Sequence, residues 1–306
     1  MSKLFDALNK AQGDVASLAL PVIHGAGADG PVPDRRVNAD VPQTFTQHAA
    51  LRPEPKQLRV EEVHAGDFAR VVFHTDPTSA AADKFRLLRM RLRACWAAGQ
   101  LKSILVTSPL PGEGKSTTAL NLATALAEER TRTVLLVDGD LHRGSLNRQL
   151  AIEPHVGLLE CLRNRLNPVS AIRRVEPFGW YFLSAGQLIV SSPTELLQPQ
   201  ELSTLFQKLS SQFDWIVVDS PPVLPLSDAV ALRQHLDGSL LVARAGSTSA
   251  KAVEDAIALL GRRHILGLIL NGIENLEQPY RAYSQYQRNA RSTSSVINPS
   301  NDSTQE

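Results

Sequence analysis

One stretch limits the folds open to this chain: Ser103-Ile104-Leu105-Val106-Thr107-Ser108-Pro109-Leu110-Pro111-Gly112-Glu113-Gly114-Lys115-Ser116-Thr117-Thr118, followed by the apolar run Ala119 to Leu126. It reads as a short apolar strand, a loop of Gly and Pro, and a helix start. Such a loop lets consecutive backbone N–H groups turn inward around a phosphate, and the helix N-terminus behind it adds partial positive charge. In the pattern G-x-x-x-x-G-K-[ST], the lysine reaches the β/γ-phosphates and the hydroxyl sits on Mg²⁺. Gly114-Lys115-Ser116 fit it, and Pro109 stands where the first glycine is expected. The plain alternative is an ordinary strand–helix turn with a chance lysine. The joint placement of strand, loop and apolar helix argues against it. Pro111, Gly112, Glu113, Gly114, Lys115, Ser116 and Thr117 are therefore the candidate nucleotide contacts.

The remaining strands have the same character. Thr133 to Val137 is a continuous apolar run ending in Asp138-Gly139-Asp140, and Trp215 to Val218 ends in Asp219-Ser220-Pro221-Pro222. Such runs read as buried parallel strands with carboxylates at their C-terminal edge, where open α/β sheets place ligands. Asp219 has the form of a Walker B acid that holds Mg²⁺. Asp-x-Asp suits metal coordination or proton acceptance, and equally a capping turn. Trp180 to Leu183, Gly238 to Arg244 and Ile265 to Asn271 are further strands. Helices are expected from Ala80 to Ala98, from Pro193 towards Phe213, after Asp228, whose plain reading is a helix cap, and from Ala250 to Gly261. This alternation predicts an α/β fold, a doubly wound, mostly parallel sheet of P-loop NTPase type.

The 306 residues, 43% of them apolar, suffice for one such domain with flanking segments. A net charge of +1 provides no global field towards nucleic acid, so no nucleic-acid partner is expected. Cys95 and Cys161 are too few for a disulfide framework or a cysteine zinc site, and a reducing cytoplasm is the simplest setting. No apolar run approaches the ~18 residues of a membrane span, and the first residues lack a signal-peptide pattern.

The flanks differ from the centre. Ser2 to Gln12 places Leu4, Leu8 and Ala11 on one helical face, which fits a short amphipathic helix or a frayed terminus equally. Prolines from Pro21 to Pro55 mark residues 21–60 as a linker. Ala69 to Phe73 reads as a strand or a docking segment. The expected division is 1–78 for the short helix and Pro-rich linker, 79–276 for the P-loop domain, and 277–306 for a polar tail expected to be disordered. That tail carries Tyr280, Tyr283 and Tyr286, three of the chain's four tyrosines.

Taken together, the loop ending Lys115-Ser116, the strand ending Asp138-Gly139-Asp140 and the strand ending Asp219-Ser220-Pro221-Pro222 resemble the cytoplasmic domain of bacterial tyrosine autokinases, the BY-kinases of capsule and exopolysaccharide systems. Ser184-Ala185-Gly186 and Pro193 to Leu197 are also similar to that family, and the resemblance covers roughly residues 79–275. The family's D-x-D-x-R has His142 at the Arg position, with Arg143 beside it.

The resemblance implies ATP and Mg²⁺ as cofactors. Lys115 would neutralise charge on the phosphates; Ser116, Asp140 and Asp219 would hold the metal; Asp138 would receive the tyrosine proton. Asn271 would contact the adenine or simply end its strand. Asp83, Arg86 and Arg89 resemble the family's E-x-x-R-x-x-R assembly helix, which implies a ring-like homo-oligomer; a solvated helix face is the alternative. The resemblance also implies autophosphorylation of Tyr280, Tyr283 and Tyr286. It further implies a separate membrane-embedded polysaccharide co-polymerase that activates the chain and recruits it to the inner face of the membrane. The rival readings are a nucleotide switch like the septum-positioning and partition ATPases, whose signature lysine position is Leu110 here, and an ATP-binding regulatory module without kinase activity.

Overall fold

The computed structural model describes residues 59–62 (backbone only), 71–99, 101–153, 155–187 and 193–273. The strands are β1 (Arg59–Glu62), β2 (Ser103–Thr107), β3 (Val134–Asp138), β4 (Arg173–Glu176), β5 (Trp180–Leu183), β6 (Trp215–Asp219), β7 (Gly238–Arg244) and β8 (Ile265–Asn271). The α-helices are α1 (Val72–Thr75), α2 (Ala80–Ala97), α3 (Lys115–Ala127), α4 (Ser145–Leu150), α5 (Leu158–Asn164), α6 (Pro199–Gln212), α7 (Asp228–Arg233) and α8 (Ala250–Leu260). The strands form one sheet in the order β1-β4-β5-β3-β6-β2-β7-β8, with β4–β5 its one antiparallel neighbour pair.

Successive strand side chains point to opposite faces, so each apolar run feeds two cores. Ile104, Val106, Leu136 and Val217 pack with the helix layer that contains α2 and α3. Leu105, Leu135, Val137, Ile216 and Val218 pack with the layer of α5 to α8. Burial on both faces explains why β2, β3 and β6 are continuously apolar rather than alternating. Helix α3 is buried along its whole length apart from Thr117, because it lies between the sheet and α2. A helix apolar on all sides suits only such a place.

The fold reaches further towards the N-terminus than the expected boundary at 79. Val71 is fully buried, and the next residues form a helical turn rather than a strand. The Val72 amide donates to Asn121 Oδ1 of α3 at 2.8 Å, so the docking alternative holds for this segment. Strand β1 falls partly in the expected linker and pairs parallel to β4. Strand β4 was not expected, because Arg173-Arg174-Val175-Glu176 carries one apolar residue; pairing with its neighbours makes it a strand. The expected helix from Pro193 is a 3₁₀ turn at Pro193–Leu196 followed by α6, whose Pro199 sits at a helix start, where its missing N–H costs nothing. Ser2 to Gln12, most of the expected linker, and Tyr280, Tyr283 and Tyr286 lie outside the described residues. Among the described residues no helix is long and apolar enough to cross a membrane.

Candidate active site

The site stands where β3, β6 and β2, adjacent and parallel, end on one edge of the sheet. The loop after β2 turns through Gly112 (φ +83°) and Gly114 (φ +94°), left-handed conformations that other residues adopt at a cost. Gly114 is doubly constrained, since a Cβ there would meet the Asn271 side chain, which is itself tied to the Glu113 carbonyl. Lys115 and Ser116 then open α3, which points its N-terminal amides back at the loop.

Strand register brings the acids together. Asp138 and Asp219 are lateral partners on β3 and β6. Between Asp138 and Asp140 only glycine fits, because Gly139 donates its amide to the Asp219 carbonyl at 2.8 Å and a Cβ would lie 2.7 Å from that oxygen. The Lys115 ammonium meets Asp140 Oδ2 at 3.1 Å and Asp219 Oδ1 at 3.9 Å. It is 9% exposed, so the charge is held inside the protein against an internal counter-charge. Burial alone would lower its pKa; Asp219 and Asp140 outweigh that and raise it.

The acids respond in the other direction. Burial, then repulsion from Asp219, holds Asp138 well above the carboxylate range, opposed by amides of Leu146 and Asp140 that donate to it at 3.1 and 3.2 Å. Burial pushes Asp219 up to about 6, against the pull of Lys115 and of the neighbouring Ser116 hydroxyl. Neither Asp219 oxygen has a hydrogen-bond partner of good geometry, although the residue is fully buried. A buried carboxylate left in that state has capacity for a cation. Among the described residues no group of three His, Cys, Asp or Glu side chains could hold a metal by itself. A metal here would therefore lean on the Ser116 hydroxyl and on non-protein oxygens, as Mg²⁺ commonly does.

Two predicted contacts, Asn271 and Glu113, bond within the protein. Asn271 lies at the end of β8 and donates through Nδ2 to the Glu113 carbonyl at 2.9 Å, which ties it to the loop backbone. Glu113 is buried, and its carboxylate accepts from the Leu110 amide at 2.8 Å and from Thr248, inside the protein. Its contribution to a ligand is thus its backbone. Asp83, Arg86 and Arg89 lie on a partly exposed face and engage partners within the chain. Arg86 pairs with Asp83 at 3.0 Å and Glu128 at 2.6 Å, and Arg89 pairs with Glu128 at 2.6 Å and Glu129 at 3.3 Å, all within the chain.

Other residues of the site were missed. Ser145 donates to Ser116 Oγ at 2.9 Å from the start of α4. His142, at the family's Arg position, lies 3.0 Å from Asp228 Oδ2, and Thr194 donates to Asp228 Oδ1 at 2.8 Å. Asp228 is fully buried, so it is a partner for the loop after β3 as well as the opening residue of α7. The D-x-D-x-R departure was a usable signal for a substitute contact; its acid partner is 86 positions away.

Comparison with known proteins places this geometry. Residues 100–289 match the family model described as ParA, NUBPL iron-transfer P-loop NTPase. The chain is 33% identical over 205 residues to tyrosine-protein kinase YwqD of Bacillus subtilis (strain 168), a match covering 66% of this chain and 85% of that protein. This chain belongs to the bacterial tyrosine kinases. The match to tyrosine-protein kinase ptk of Acinetobacter johnsonii, at 30% identity over 65% of this chain, spans only 27% of that longer relative. Among solved structures, the kinase domain of Escherichia coli tyrosine kinase ETK superposes with a TM-score of 0.63 at 28% identity, covering 72% of this chain and 85% of that one. The BY-kinases therefore share with this chain a P-loop domain that also lies within the wider ParA group.

Proposed function

We propose that the chain is an ATP-dependent protein-tyrosine autokinase that regulates exopolysaccharide or capsule polymerisation and export. The observation that carries the reading is the buried cluster of Lys115, Asp140 and Asp219 beside a glycine loop at a helix N-terminus. Phosphoryl transfer asks mainly for positioning and for charge stabilisation, and this cluster supplies both. Lys115 would exchange its carboxylate contacts for the β/γ-phosphates of ATP. Ser116, Asp140 and Asp219 would hold Mg²⁺, which when bound neutralises and orients phosphate oxygens. The lack of a well-formed hydrogen bond to either Asp219 oxygen supports that fit.

Asp138 is the proposed acceptor of the tyrosine proton. Its raised pKa suits a base, whereas its full burial and two amide donors suit a brace for the loop. The Asp138→Asn variant discussed below separates these roles. Asn271 would frame the adenine side of the loop.

Tyr280, Tyr283 and Tyr286 would be the acceptors, modified by a neighbouring subunit. Tyr181, on β5, is buried and unsuited. Assembly as a homo-oligomer through Asp83, Arg86 and Arg89, in the cytoplasm at the inner face of the membrane beside a separate polysaccharide co-polymerase, completes the reading. A partition-type ATPase switch is the rival from another class; Leu110 at its signature lysine position counts against it. Incubating the purified chain with ATP and Mg²⁺, with and without the membrane partner, and probing for phosphotyrosine tests the proposal. Phosphotyrosine is expected; ATP hydrolysis with none under either condition would favour the switch.

A further inference from the structure

Glu113 poses an electrostatic problem. It lies between Gly112 and Gly114 in the loop assigned to a polyanion, and a carboxylate facing that anion would repel it. The structure resolves this by turning the side chain away. One oxygen accepts from the Leu110 amide at 2.8 Å; the other accepts from the Thr248 hydroxyl, in the turn between β7 and α8. That hydroxyl in turn accepts from the Arg244 amide at 2.8 Å, which leaves its proton directed at Glu113. Two further ties join the same elements: Asn271 Nδ2 to the Glu113 carbonyl at 2.9 Å, and Arg244 Nη1 to the Gly112 carbonyl at 3.5 Å.

We propose that Glu113 and Thr248 are positioning residues that brace the phosphate-binding loop against the ends of β7 and β8. A loop with two left-handed glycines has many unbound conformations, and holding its amides convergent costs conformational entropy. A partly buried charge-assisted pair across two elements removes that freedom before the ligand arrives, which favours binding. Because the amides contact phosphate in ground and transition states alike, the brace acts on affinity rather than on turnover. The inference rests on the kinase reading of the site.

The test measures binding of a fluorescent ADP analogue with Mg²⁺ to the full chain, together with KM for ATP and kcat. Thr248→Val removes the donor and should weaken binding and raise KM by about tenfold, the scale of one hydrogen bond to a charged group. Its kcat should stay within about twofold. Thr248→Ser keeps the hydroxyl and should bind like wild type. Glu113→Gln, which keeps one acceptor oxygen, should fall between. Equal affinity of Thr248→Val and wild type would overturn the brace alone. So would an equal loss in Thr248→Ser, which would make packing the cause. A wild-type chain that takes up no nucleotide would overturn the kinase reading, and the brace with it.

Discussion

Lys115 decides most at the scale of single residues. It is buried against Asp140 and Asp219, so Lys115→Met does more than delete a ligand contact. Phosphate transfer should fall at least about a hundredfold, as for loss of one positioned charge stabiliser. The variant should also lose stability, up to about 3–5 kcal/mol for a broken buried pair, less where the carboxylates take up protons. Transfer assays and thermal melts check the two effects separately; unchanged transfer would remove Lys115 from the site. Asp138→Asn should reduce transfer more than nucleotide affinity, and a collapse of affinity instead would assign Asp138 to holding the loop or the metal. The pH response follows from Asp219, whose value near 6 in the fold exceeds the ordinary carboxylate value. Its ionised form costs folding stability at neutral pH, and that cost is relieved as pH falls through about 6 towards 4. Mg²⁺–nucleotide binding should run the opposite way, weakening as pH falls through about 6. Calorimetric titrations about one unit either side of that value should differ in affinity and in protons released; equal affinities and equal proton release would count against Asp219 as a ligand that titrates there.

At the scale of elements, α2 and α3 are joined by an ion-pair network. Arg86, Arg89 and Arg93 reach Glu128 and Glu129 just beyond the end of α3, and hydrogen bonding to Arg86 is the largest influence lowering the Glu128 pKa. These pairs are partly exposed, so each contributes about 1 kcal/mol or less. Reversing charge at Arg86 and Arg89 should lower the mass seen by light scattering if the trio joins subunits, whereas Glu128→Ala should lower only the melting temperature. A reversal that lowers melting temperature at unchanged mass would confine the trio to the α2–α3 contact. Legibility also divides by element. Strands β2, β3 and β6 were readable because burial on both faces forces an unbroken apolar run, which in β3 and β6 ends in an acid. Strand β4 was hidden by Arg173 and Arg174, since cross-strand pairing rather than side-chain pattern makes it a strand. The acids of the site were readable from their strand ends. The Thr248 hydroxyl on Glu113 and Asp228 beside His142 were not, because only the assembled fold brings such distant positions together.

At the scale of the whole molecule, the sheet carries the site on its carboxyl edge, where β8, the last strand among the described residues, also ends at Asn271. Each phosphate adds about −1.5 to −2 charge, so a modified tail should dock less readily near Asp138, Asp140 and Asp219, and phosphorylated protein should assemble less. The most direct measurement mixes two chains: Lys115→Met with an intact tail, and wild type truncated after Ile273, incubated with ATP and Mg²⁺ and the membrane partner, then mapped by mass spectrometry. The account predicts phosphate on Tyr280, Tyr283 and Tyr286 of the Lys115→Met chain. Phosphate confined to Tyr181, or none on either chain while the full-length wild type is equally unmodified, would contradict it.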